Sequence, residues 1–78
     1  MKTTRYFDAT CVLRDSSDIH AVWIQRVIDQ SEYQEIQADG RIRRWARIPE
    51  AGDKYLRVVL LPDTETVHNA FFDRGFKP

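Results

Sequence analysis

Residues 16–31 read SSDIHAVWIQRVIDQS, and directly after them the spacing of apolar side chains falls from about 3.6 residues to about 2. This switch constrains the fold more than any other feature. One amphipathic helix followed by half-apolar strands can bury its faces only by laying the helix on the sheet. On a helical wheel Ile19, Ala21, Trp23, Ile24, Val27 and Ile28 share a face, and Gln25, Arg26 and Asp29 lie off it. Ser16 or Ser17 offers an N-cap, and Asp18 falls where the helix dipole favours an acid.

Four alternating segments follow. EYQEIQ and RIRRWARI flank ADGR, an Asp-Gly hairpin signal; KYLRVVLL follows the turn-rich PEAGD, and ETVHNAFF follows PDT. The expected fold is α+β, a single domain over residues 1–78, with one main helix on a four-stranded antiparallel meander. RYFDATCVL reads as an additional N-terminal strand with no evident pairing. Alternation points Ile42, Ala46, Ile48, Leu56, Val58 and Leu60 toward the helix, and Arg41, Arg43, Trp45, Arg47, Tyr55 and Arg57 away from it. Arg44 breaks the pattern and is expected at a core edge. The last strand fits two registers; the one with Val67, Asn69 and Phe71 inward is the more apolar, leaving Thr66, His68 and Phe72 outward.

Charge sharpens the question of what the outward face does. The chain has 12 basic and 12 acidic residues and no formal net charge, so attraction to a polyanion has to come from a local patch. RIRRWARI supplies one: four arginines around a tryptophan with no acid among them. From Arg41 to Arg57 stand Arg41, Arg43, Arg44, Arg47, Lys54 and Arg57 against Glu50 and Asp53. Guanidinium groups fork onto phosphates and aromatic rings give bases a stacking surface, so this face suits single-stranded RNA; the same arginines also suit ordinary solvation and cross-strand pairing with Glu32, Glu35 and Glu65.

Cleaving RNA without a metal requires a proton acceptor, a proton donor and cations for the charge on phosphorus. His68 is the best acid/base candidate because imidazole titrates near neutrality and its strand lies beside the arginines. His20 sits in the apolar stripe of the first helical turn, where a neutral ring at the core margin is expected, and Arg26 at the stripe's edge can reach a phosphate or pair with Asp29 or Glu32. Two distant histidines give no metal-ligand spacing, the single Cys11 permits neither an internal disulfide nor a Cys-based zinc site, and no phosphate-cradling glycine motif occurs, so neither metal nor cofactor is expected. No apolar run approaches the roughly 18 residues of a membrane span, and MKTTRYFDAT lacks the apolar stretch of a secretion signal; a cytoplasmic protein with no membrane partner is expected.

HAVWIQRVI, RIRRW, YLRVVLL and ETVHNAFFDR together resemble a family of short bacterial proteins, which in turn resemble toxins of toxin-antitoxin modules in the BrnT-like and RelE-like grouping of barnase-type ribonuclease folds. The resemblance implies a metal-independent endoribonuclease held in check by a small antitoxin protein, and by motif position it singles out His20, Arg26, Arg57, His68, Asn69 and Arg74. Toxins of this class differ in their acid/base sets, so no triad is carried over. Their usual basic charge is missing here. The expected assignment has His68 transferring protons with Arg57 and His20 as further catalytic candidates. Arg43, Arg57 and Arg74 hold phosphate, Trp45 and Tyr55 stack bases, and Arg26, Arg47 and Asn69 contribute to RNA binding. The rival expectation is a non-catalytic module whose sheet binds another protein or a second copy of itself, with ETVHNAFF as its exposed edge.

Overall fold

The structure, a computed structural model, describes residues 2–8 and 19–77. Its elements are β1 (Lys2–Thr3), α1 (Ala21–Gln30), β2 (Tyr33–Ile36), β3 (Ile42–Ile48), a 3-10 turn (Pro49–Ala51), β4 (Lys54–Leu60) and β5 (Thr66–Phe72). The sheet runs β1-β5-β4-β3-β2, with β2 to β5 an antiparallel meander and β1 parallel to β5. This is the expected α+β architecture, completed by an N-terminal strand.

The helical stripe and the strand parity explain the core. Ile24 and Val27 of α1 close over Ile42, Ala46, Ile48, Leu56, Val58 and Leu60, all buried, with Trp23, Ile28 and Ile19 at the margin. Arg44 lies at the core edge as its broken periodicity required. Its Nη1 donates to the Ile28 carbonyl oxygen at 2.8 Å and its Nε to Gln34 Oε1 at 2.9 Å, so the cation satisfies a carbonyl near the C-terminus of the helix. The Asp-Gly hairpin is closed by Gln37 N–H to Arg41 O at 2.8 Å, with Gly40 at φ +91°, a backbone region that glycine occupies without strain.

Three expectations are corrected. The helix begins at Ala21 with His20 as its N-cap and no side-chain capping bond; Ser16, Ser17, Asp18 and Cys11 lie outside the described residues. The first strand is Lys2–Thr3, and of RYFDATCVL residues 5–8 are helical, because Thr4 Oγ1 accepts the Phe7 N–H at 3.0 Å and so caps the turn, and Phe7 drops into the core, while residues 9–13 lie outside the described residues. The third correction concerns β5. Leu60 pairs with Val67 but Val59 pairs with Asn69, so His68 is an extra residue, a β-bulge. Val67 and Ala70 are buried inward and Phe72 packs on the core against Trp23, whereas Asn69 and Phe71 stand on the open face. Neither unbroken register is correct; the bulge uses one before His68 and the other after it.

Candidate functional site

The bulge positions the site. His68 and Asn69, neighbours in sequence, both line a concavity of about 390 Å³ on the face opposite α1. Arg41 and Arg43 enter it from β3 and its hairpin, Arg57 from β4, and Phe71 from β5. Tyr6 closes one side, carried there by the capped turn of residues 5–8, and Gln37 closes another. Among the described residues, three arginines line this space and no carboxylate does.

Arg57 is the least comfortable of them. Its Nε is buried and has no hydrogen-bond partner among the described residues; the nearest carboxylate oxygen, Asp73 Oδ2, is 3.7 Å away, too far to accept a bond. The guanidinium carbon lies 4.2 Å from the centre of the Phe71 ring, a cation–π contact. Burial pushes the Arg57 pKa down; Asp73 opposes the shift, Arg43 adds to it and Glu35 again opposes it. An arginine stays charged under such a shift, so its electrostatic demand for an anion goes partly unmet. Arg43 is held by Glu35 at 3.6 Å, and its Nε and Nη2 face the Gln37 carboxamide, whose oxygen accepts from both when the amide is turned toward them. Its Glu35 contact is a loose ion pair with an exposed partner, which an incoming phosphate can displace at little cost.

His68 is anchored at one nitrogen. Nδ1 lies 3.2 Å from Thr4 Oγ1, and the ring stacks on Tyr6 with centroids 4.8 Å apart and planes 22° apart. A hydroxyl can donate to Nδ1 or accept from it, so either tautomer keeps the anchor while Nε2 gives or takes a proton.

The remaining expected residues, Asn69 apart, fall outside this concavity. His20 is exposed at the N-cap of α1, its ring edge-on to Trp23 at 4.4 Å, on the opposite layer. Arg26 forms a bidentate pair with Glu50, 3.0 and 2.7 Å, and holds that carboxyl down at about 2. Arg47 is exposed beside Asp53 at 3.9 Å, and Arg74 is exposed in the turn after β5. Trp45 is on the predicted face but only 5 % exposed. Phe76 lies flat on it, 4.7 Å between centroids and 15° between planes, and also meets Tyr33 and Tyr55. Trp45 Nε1 donates to Asp73 Oδ2 at 3.1 Å. The expectation of bare Trp45 and Tyr55 rings is therefore corrected: the segment after β5 covers them. The Asn69 side chain turns back on its own strand, its Oδ1 accepting the Ala70 N–H at 2.9 Å.

Sequence reasoning missed Tyr6, Gln37, Phe71 and, as a site residue, Arg41. A capping signal existed at Thr4, but nothing local marks which residue of β5 will bulge. Among the described residues no three His, Cys, Asp or Glu side chains gather as a metal site, and no helix is long and apolar enough to cross a membrane. Compared with protein-family models, curated proteins and solved structures, the chain finds no match.

Proposed function

We propose that the protein is a toxin-like, metal-independent endoribonuclease of a bacterial toxin-antitoxin module, acting in the cytoplasm. The observation that carries the reading is the convergence of His68 with Arg41, Arg43 and Arg57 on one concavity whose described lining has no carboxylate. The arginines hold the scissile phosphate. His68 Nε2 takes the proton of the 2′ hydroxyl as its oxygen bonds to phosphorus, the bond to the 5′ oxygen breaks, and the imidazolium returns the proton to that oxygen. The products are a 2′,3′-cyclic phosphate and a 5′ hydroxyl. A small antitoxin protein would act by covering the same concavity.

The test is incubation of the purified protein with single-stranded RNA in EDTA, beside His68→Ala and Arg57→Ala. Loss of an acid/base group or a charge-stabilising cation costs roughly 10²-fold or more in rate. Equal cleavage by all three proteins removes the assignment.

No cleavage by any of them favours a second reading, a protein-interaction module. One observation supports it. β2 is an edge strand whose four residues are all exposed, Ile36 at 66 % and Tyr33 at 40 %, and such an edge can pair with a strand of another chain, a second copy included. The expected edge, ETVHNAFF, pairs with β4 on one side and is covered on the other by β1 only at Thr66 and Val67. Light scattering across a concentration series would show a dimer if β2 pairs with itself.

A further inference from the structure

We propose that Trp45, Tyr33 and Tyr55 form a stacking subsite for an unpaired nucleobase, and that the chain's own Asp73–Phe76 segment occupies it as an internal competitor. The inference rests on the reading of this face as an RNA site and adds a second position to it, beside the phosphate position at Arg57.

Trp45 and Arg57 are directly paired across β3 and β4, so a ring on one and an anion on the other are neighbours on the sheet. The segment after β5 supplies both. Phe76 takes the parallel placement on Trp45 that a base takes on an indole, with Tyr33 and Tyr55 turned toward its edges. Asp73 presents a carboxylate to Trp45 Nε1 and to Arg57, the place of a phosphate oxygen. One ring and one charge thus reproduce the two groups by which a nucleotide would be recognised.

The attachment of this segment is suited to exchange. Asp73 N–H donates to Tyr55 O at 2.9 Å, which fixes its start to the sheet. Beyond that point the segment's backbone N–H groups bond within it, Gly75 N–H to Asp73 Oδ1 at 3.2 Å and Phe76 N–H to Asp73 O at 3.3 Å. Its side chains tie it to the floor through the Asp73 carboxylate, on Trp45 Nε1 and facing Arg57, and through the Phe76 ring. A base can therefore replace Phe76 without breaking a sheet hydrogen bond.

The experiment measures binding of a fluorescein-labelled single-stranded 2′-O-methyl oligoribonucleotide, which cannot be cleaved through its 2′ oxygen, to the full chain, Phe76→Ala and Asp73→Asn. Removing a competitor tightens apparent binding by the inverse of the fraction of time the site was open, so for a site open about a tenth of the time Phe76→Ala is expected to bind about tenfold tighter, with Trp45 emission quenched on binding. Asp73→Asn keeps an acceptor for Trp45 Nε1 and removes the charge facing Arg57. It too is expected to bind tighter, and it guards against a fold weakened by the loss of Phe76. Unchanged or weaker binding by both variants, with native circular dichroism, overturns the proposal. Cleavage of unmodified RNA by the same proteins separates the two readings. Tighter binding without cleavage leaves the subsite and removes the ribonuclease, whereas cleavage without tighter binding does the reverse.

Discussion

Replacing Arg57 by Met and Asp73 by Asn in one variant asks whether Arg57 is present for stability or for function. Its buried Nε lacks a partner among the described residues, and an unsatisfied buried donor costs about 1–3 kcal/mol. Against this, the contact with Phe71 contributes about 0.5–2 kcal/mol, part of which a methionine sulfur over the same ring restores. The pair with Asp73 joins half-buried side chains, 23 % and 19 % exposed, at 3.7 Å, and exchanging a pair largely removed from water for groups of similar volume is often neutral or stabilising. The asparagine replacing Asp73 would keep one acceptor, best used by Trp45 Nε1, while the exposed Gly75 N–H turns to water. The net expectation is a gain of about 1 kcal/mol, or a rise in Tm of roughly 4–8 °C for a domain of this size, seen in calorimetry and in urea unfolding at unchanged slope. RNA binding should fall at the same time, the trade of stability for activity that a functional residue shows. A loss of more than about 2 kcal/mol would identify Arg57 as a structural residue and refute the reasoning.

Other consequences concern the frame around the site. Asp63 closes the β4–β5 turn by accepting the Thr66 hydroxyl and the N–H groups of Thr66 and Glu65, and these bonds, the hydroxyl's first, hold its pKa down at about 2; Thr66→Val should raise the midpoint seen by carboxyl NMR, and a midpoint still near 2 would contradict this. Asp63 and Glu50 are both depressed to about 2 from 3.8 and 4.5, so their contributions to stability are complete above about pH 4.5 and vanish as pH falls through 2; urea midpoints should decline across that window and not above it. Gly40→Ala places a Cβ 3.2 Å from Pro62 Cγ at φ +91° and should cost about 1–2 kcal/mol in urea unfolding; a neutral result would show that the hairpin relaxes.

Much of this fold is legible in local spacing. A helix seen through Ile24 and Val27, the inward set of β3 and β4, and the Asp-Gly turn all follow from periodicity and turn chemistry, which act over a few residues. Arg44 was legible for the same reason: a polar residue at an inward position has to find an acceptor near the core. What escaped were choices settled by contacts distant in sequence. The bulge at His68 lets Val67 face Leu60 and Ala70 face Val58 while both are buried, a condition on two strands that the pattern of one cannot express. Phe76 covers Trp45 from a segment with no periodicity of its own, so an alternating strand predicts an exposed indole where a covered one is found. His20 was misplaced because the helix starts later than its capping residues suggested. The candidate site was thus half readable: its arginines by alternation, but not Tyr6 or Gln37.

The central claim is that proton transfer belongs to the sheet's open face and not to the helical layer. Single-turnover cleavage of RNA by His68→Gln and His20→Gln measures it directly, since both histidines are ring-stacked or edge-packed and only one shares a concavity with arginines. The account predicts a loss of roughly 10²-fold or more at His68 and a rate within about twofold of the unsubstituted protein at His20. Comparable losses at the two positions, or none at His68, would contradict it.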